Sequence, residues 1–267
     1  MTGADFLRYG GATSCVAISQ DDDPPRLVLD AGTGLMRLST LLQERPFVGS
    51  ILISHLHWDH THGLPFFSAG LRPGNRIRVL FPTDGSDPEE LLSRAFSPPH
   101  FPVRPRELGG AWTFEAIEPG RHRIEGYDVT VEEIPHKGGR TLGYRVENDE
   151  AALAFLPDHA PLAIGPGPDG LGERHPAALR LADGVDLLMH DAQHRAAEFP
   201  SLVFLGHSSA EYAVALGNEA DVAEVVLFHH APTRTDDEID LMVKELAGDR
   251  PVSAAAEGRH VDLPAAT

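Results

Sequence analysis

The stretch Ser54–Gly63, SHLHWDHTHG, sets four histidines and one aspartate directly after the apolar run Ile51-Leu52-Ile53. The apolar run reads as a buried strand, so the histidines sit at its mouth, where loops carry ligands. His55 and His57 are two residues apart, and an extended backbone turns both imidazoles to the same side. Asp59 and His60 follow where the chain should bend into a loop or helix. Adjacent residues point in different directions, so a single ion cannot use all four. Two neighbouring ions resolve the conflict: His55 and His57 serve one, Asp59 and His60 the other. Paired ions in hydrolytic sites stand about 3.5–4 Å apart and need a further ligand each, with a bridging carboxylate. The alternative is a histidine-rich loop that holds no metal.

The missing ligands are sought at other strand ends. Strand-like runs recur at Cys15–Ile18, Leu27–Leu29, Ile51–Ile53, Ile77–Phe81, Tyr127–Ile134, Leu153–Leu156, Leu187–Met189 and Val225–Phe228. Helical periodicity falls at Gly34–Gln43, Pro88–Ala95, Pro176–Ala182, Ser209–Glu219 and Asp236–Ala247. Ser208 and Glu211 fit an S-x-x-E capping box for the fourth of these helices. The run Asp21-Asp22-Asp23-Pro24-Pro25 reads as a hairpin loop between two strands. Four runs end on a metal-competent residue: His55, His136, Asp158 and His229. Scattered surface histidines would not repeat that placement, so His136, Asp158 and His229 complete the two ligand sets. With no repeat or linker in view, one mixed α/β domain over residues 1–267 is the expectation.

Composition narrows the function classes. The chain has 22 basic and 40 acidic residues, a net charge of -18. Such a surface repels polyanions and weighs against a large nucleic acid or an anionic membrane as partner. A single cysteine, Cys15, excludes an internal disulfide and a cysteine-built zinc site. No secretory leader or membrane-spanning run is present, which makes a cytoplasmic protein the expectation.

His55-Leu56-His57-Trp58-Asp59-His60 and Gly63 resemble the signature of the metallo-β-lactamase-fold hydrolases. Leu29-Asp30-Ala31-Gly32-Thr33-Gly34, His136 with Gly143-Tyr144-Arg145, and Leu156-Pro157-Asp158-His159 resemble further segments of that family. His190-Asp191-Ala192, Gly206-His207-Ser208-Ser209 and Leu227-Phe228-His229 resemble its phosphodiesterase branch, which includes tRNase Z and bacterial cyclic phosphodiesterases. The resemblance implies a four-layer αβ/βα sandwich whose usual first N-terminal strand is missing here. It implies that His55, His57 and His136 ligate one ion, that Asp59, His60 and His229 ligate the other, and that Asp158 bridges them. Asp30 is similar to the aspartate that supports the histidine loop, although a plain strand-end turn former fits it equally. His207 is similar to the branch's proton donor, with Asp191 as its carboxylate partner where the branch often has Glu. Two divalent ions are implied, zinc first, with manganese or iron as alternatives.

The proline-rich stretch Ser97–Pro105, SPPHFPVRP, should be a stiff loop. The family places an equivalent loop near the site entrance, so His100, Phe101 and Arg104 are candidate substrate contacts; a structural wall is the competing reading. Residues 66–106 carry six Arg and four acidic residues, a local excess of positive charge. His62 is expected to face the helix surface, and His159 is left between a supporting and an incidental role.

The combined expectation is a dinuclear metal-dependent hydrolase. It would cleave small or cyclic nucleotide-like phosphodiesters through a metal-bridging hydroxide, with Asp59, Asp191 and His207 taking part in catalysis. The alternatives are a carboxylic ester, lactone or β-lactam hydrolase, a tRNA 3′-processing endonuclease, or a non-catalytic metal or ligand sensor. Short distances between motifs weigh against tRNA processing, and the family suggests a homodimer.

Overall fold

The computed structural model describes residues 3–43 and 45–263. They divide into two compact units, residues 12–118, and residues 119–263 together with 3–11. Each unit has its own sheet and its own apolar core.

The sheet of residues 12–118 runs in chain order: β1 (Val16–Ile18), β2 (Leu27–Leu29), β3 (Val48–Leu52), β4 (Arg76–Phe81) and β5 (Ala111–Ala116). β1 and β2 form an antiparallel hairpin around the aspartate-rich loop, and β2 to β5 are parallel. β2 is buried throughout and β3 from its second residue, the pattern of parallel strands covered on both faces. Helices α1 (Leu35–Leu41), α2 (Trp58–Thr61) and α3 (Pro88–Ser93) complete the unit. Val28, Leu35, Phe47, Ile51, Phe67 and Phe81 form the centre of its core. Each such side chain contributes about 1.5–3 kcal/mol through burial.

The second sheet has the order β12 (Val252–Ala254), β11 (Glu224–Phe228), β10 (Leu187–Asp191), β9 (Ala152–Leu156), β8 (Thr141–Glu147), β7 (Tyr127–Ile134) and β6 (Gly120–Ile124). β9 to β12 are parallel, whereas β6 to β9 are antiparallel. Its helices are α4 (Pro176–Ala182), α5 (Phe199–Leu202), α6 (Ala210–Glu219) and α7 (Asp236–Leu246). Leu156, Leu181, Leu188, Tyr212, Leu216 and Val225 lie in one buried cluster.

All eight expected strands are present; β2 and β7 have the expected bounds and the other six have shifted ends, β3 beginning at Val48 rather than Ile51. The capping expectation is corrected. Ser209, not Ser208, caps α6, its hydroxyl accepting from the Tyr212 N–H at 3.2 Å. Glu211 instead pairs with Arg195 at 2.8 Å. A full capping box stands at α7, where Thr235 and Glu238 exchange side-chain to backbone bonds. Among the described residues, no helix is long and apolar enough to cross a membrane.

Candidate metal centre

Within residues 12–118 the histidine motif is anchored by Asp30. This carboxylate lies beyond the end of β2, is 0% exposed, and has a left-handed backbone at φ 61°. Its Oδ1 accepts the Ser54 N–H at 2.7 Å, and its Oδ2 accepts the Ser14 hydroxyl at 2.7 Å and His60 Nδ1–H at 2.6 Å. A proton fixed on Nδ1 makes Nε2 the lone-pair nitrogen of His60, the arrangement that suits a metal ligand. His60 Nε2 stands 3.3 Å from Asp59 Oδ2. The His55 ring is 4.3 Å from that of His57 and 4.2 Å from that of His60, centre to centre. Two glycines make this packing feasible. A Cβ on Gly32 would meet the Asp59 carbonyl at 2.1 Å, and one on Gly63 would meet the Gly32 carbonyl at 2.0 Å.

Within residues 119–263, His136, Asp158, Asp191 and His229 stand at or just past the carboxyl ends of β7, β9, β10 and β11. Asp158 is the centre of this group. Its Oδ2 lies 3.4 Å from His136 Nε2, and its Oδ1 lies 3.3 Å from His229 Nε2. His136 donates Nδ1–H to the Gly206 carbonyl at 2.6 Å, which again presents Nε2 as the lone-pair nitrogen. Burial pushes the His136 imidazole down, against the opposing pull of Asp158 and Gly206, so the neutral ring is favoured. His229 Nδ1 contacts the Gln193 side-chain amide at 2.9 Å, and His229 has a left-handed φ of 56°. Strained backbone at both Asp30 and His229 is a feature of sites held by their surroundings.

These distances fit a metal. At metal–nitrogen and metal–oxygen lengths of about 2.0–2.2 Å, two ligands on one tetrahedral ion stand about 3.3–3.5 Å apart. The pairs Asp59–His60, His136–Asp158 and Asp158–His229 show that spacing, at 3.3, 3.4 and 3.3 Å. The donors are all imidazole and carboxylate, a set suited to zinc, manganese or iron.

His207 lies beside this group rather than within it. Its Nδ1 is 2.9 Å from Asp191 Oδ2, its ring stacks on that of His229 at 4.9 Å, and it is 5.0 Å from the His136 ring. Asp191, His207 and His229 also bring ligand atoms within 4.8 Å of one another. Asp191 is, however, already committed. Its Oδ2 accepts the His159 and Ser208 N–H groups besides His207, and its Oδ1 accepts the Gln193 N–H. Burial alone would raise this carboxyl, but the charge and hydrogen bond of His207 outweigh it and hold Asp191 below the usual range.

Several residues escaped sequence reasoning. Gln193 and the Gly206 carbonyl orient His229 and His136, and neither carries a side-chain signal specific enough to single out. His194 is buried and edge-on to His207 at 6.1 Å. His159 is fully buried and donates Nδ1–H to His190 Nε2 at 2.9 Å, while His190 Nδ1–H donates to the Asp191 carbonyl at 2.8 Å. Burial keeps both rings neutral, His159 well below its ordinary value. In the proline-rich loop, His100 and Arg104 are exposed, and Phe101 is half-buried between Phe66 and Phe96.

The family described as the beta-lactamase superfamily domain matches residues 25–230. Ribonuclease Z of Exiguobacterium sibiricum is 26% identical over 231 residues, covering 72% of this chain and 74% of its own. The metallo-beta-lactamase fold protein YhfI of Bacillus subtilis shares the fold with a TM-score of 0.68 at 17% identity, over 95% of each chain. The short form of human tRNase Z does so with a TM-score of 0.66 at 18% identity, over 97% of this chain and 98% of its own. The expectation that a large nucleic acid is disfavoured as partner is corrected by this kinship with ribonucleases. Net charge averages over the whole surface, whereas cleaving RNA requires only a local cationic site. The chain belongs to the beta-lactamase superfamily and is a metal-dependent hydrolase.

Proposed function

We propose that the chain is a dinuclear phosphodiesterase acting on bonds between ribonucleotides, RNA included. In this reading the two units work as one hydrolase domain in the cytoplasm. His55, His57, His136 and Asp158 hold one ion; Asp59, His60, Asp158 and His229 hold the other, with zinc as the expected metal. When bound, the ions supply an activated water and positive charge for the phosphate oxygens.

The observation that carries the reading is the His207–Asp191 pair at 2.9 Å, set against His229 and His136. Hydrolysis of a phosphodiester breaks one P–O bond and expels a poorly stabilised alkoxide, and a proton delivered to that oxygen accelerates departure about 10²–10⁴-fold. Asp191 accepts Nδ1–H, so Nε2–H of His207 is the proton that reaches the leaving oxygen. The four hydrogen bonds on Asp191, three of them on Oδ2, hold this carboxylate in place to position His207. Asp59, whose side chain is 38% exposed, accepts a hydrogen bond from the attacking water and orients it. His159 and His190 brace the backbone that carries Asp158 and Asp191.

The test is a substrate panel on metal-replete protein: single-stranded RNA, RNA with a 3′ trailer, bis-p-nitrophenyl phosphate, a lactone and nitrocefin. Turnover of the phosphodiesters, with the lactone and nitrocefin left intact, is the expected result. Cleavage of the lactone or nitrocefin alone would overturn the reading.

A further inference from the structure

Two positions of the HLHWDH motif have no part in ligation: Leu56, which packs against the core, and Trp58, which is 68% exposed. It lies on α2 between His57 and Asp59, so its ring emerges from the same helical turn as the proposed ligands. One face of the indole is covered: His62, one turn further on, stacks against it at 5.2 Å with 22° between the planes. The backbone supports this pairing, because the His62 N–H donates to the Trp58 carbonyl at 2.9 Å. Phe66, a further turn along, is 56% exposed and is propped edge-on by Phe101 at 5.6 Å, which itself rests on buried Phe96 at 5.9 Å. Exposed aromatic rings held in place by other rings, rather than buried, are poor contributors to a core and good surfaces for planar ligands. The segment that follows, residues 66–106, carries six Arg against four acidic residues in a chain of net charge -18.

We propose that Trp58, backed by His62 and followed by Phe66, is a stacking platform for an unpaired nucleobase next to the phosphodiester being cleaved. The inference rests on the phosphodiesterase reading and deepens it, because it assigns the base-bearing side of the substrate to named residues. Stacking tolerates any base, so the platform selects for a nucleotide without reading sequence, and the basic segment supports the backbone that follows.

The experiment separates this claim from turnover. Trp58 is one of two tryptophans, and Trp112 is hydrogen-bonded to the Gly70 and Gly109 carbonyls. Fluorescence of the chelator-treated protein is titrated with adenosine 5′-monophosphate and with a single-stranded hexaribonucleotide, for wild type, Trp58→Phe and Trp58→Ala. Quenching that depends on Trp58 is expected in wild type, and isothermal titration calorimetry, which needs no tryptophan, should show hexanucleotide affinity about 5- to 150-fold weaker in Trp58→Ala. Quenching by both ligands assigns the platform to any nucleotide, and by the hexanucleotide alone to a strand. On the metal-replete protein, the kcat/KM preference for an RNA dinucleotide over a base-free dialkyl phosphate falls by a similar factor in Trp58→Ala. Unchanged quenching, affinity and preference overturn the platform even if diesters are cleaved. Trp58-dependent quenching in a protein that cleaves no diester supports the platform and refutes the phosphodiesterase reading. A dimer that dissociates in Trp58→Ala, with no nucleotide effect, assigns the face to a second copy and overturns the proposal.

Discussion

Asp30 allows the support of the histidine loop to be measured separately from ligation itself. Its carboxylate takes three buried donors: the Ser54 N–H, the Ser14 hydroxyl and His60 Nδ1–H. Asp30→Ala leaves them without an acceptor, and each buried unsatisfied donor costs about 1–3 kcal/mol. The Ser14 hydroxyl can turn elsewhere and His60 Nδ1–H keeps only a long contact to the Ser54 hydroxyl at 3.4 Å, whereas the amide loses its acceptor, and alanine tolerates the left-handed φ of 61° poorly, at about 1 kcal/mol. The expected loss is about 4–5 kcal/mol in the metal-free protein. Asp30→Asn is the sharper probe. Asparagine accepts the left-handed conformation, its amide oxygen still takes the Ser54 N–H, and Ser14 can accept from its NH₂ group. Only His60 must change, moving its proton from Nδ1 to Nε2 and surrendering the ligating lone pair. Metal affinity should therefore fall about 10–100-fold, as for other second-sphere replacements. That is about 1.4–2.8 kcal/mol, with a stability loss of only about 1–2 kcal/mol. Urea unfolding of chelator-treated protein and competition with a chromophoric chelator read the two quantities. Wild-type metal affinity in Asp30→Asn would refute the tautomer argument, and a loss below about 1 kcal/mol in Asp30→Ala would refute the hydrogen-bond accounting.

Other positions separate structure from chemistry. His207→Ala should retain its metals by elemental analysis but lose about 10²–10⁴-fold in kcat on phosphodiesters; full activity would contradict its role as proton donor. Asp191→Ala also strips three buried backbone N–H groups of their acceptor, so it should be destabilised by more than about 3 kcal/mol, which thermal unfolding would show beside a far milder His207→Ala. Gly206 has φ 87°, and a Cβ there would meet the Lys137 Cβ at 2.7 Å; Gly206→Ala should displace both the turn that carries His207 and the carbonyl that orients His136, lowering kcat and metal affinity together, as kinetics and chelator competition would read. Glu198 is held down to about 2, chiefly by its hydrogen bonds to Arg234. Its stabilisation is therefore complete above the ordinary carboxyl value near pH 4.3 and is lost as pH falls through about 2. Solvent screening limits it to about 1 kcal/mol, and equal acid sensitivity of Glu198→Gln and wild type by urea unfolding would rule it out.

What the sequence disclosed follows from how strongly each signal is encoded. Parallel strands buried on both faces, such as β2, β9 and β11, are short apolar runs and stand out. β5 and β6 do not, because AWTFEA and GRHRI are half-exposed and mix polar with apolar residues. β8 is interrupted by Gly143, where a Cβ would meet Leu181 Cδ1 at 2.7 Å, a reason for glycine visible only after packing. Side chains that bear chemistry at strand ends were readable from their spacing. Groups that orient them were not, since Gln193, His190 and the Gly206 carbonyl act through tertiary contacts and not through spacing. The partner expectation failed for a related reason: a charge total carries no positions.

The parallel register of β9, β10 and β11 places Leu156 opposite His190 and Asp191 opposite Phe228. Asp158, Asp191 and His229 thus share one end of three neighbouring strands. Their alignment is inherited from the ladder, at about 3.3 Å per residue. The consequence is a map of where the gene can be edited. One codon inserted within any of these strands would shift a functional side chain by a full residue and turn it to the opposite face. Extra codons at the far ends, placed at the exposed residues Asp149 and Glu150, Asp183 and Gly184, or Asp221, would lengthen only the loops away from the site. Epitope tags, fluorescent reporters or affinity handles belong in those turns, and a tolerance screen of random insertions should recover them there in preference to the strands.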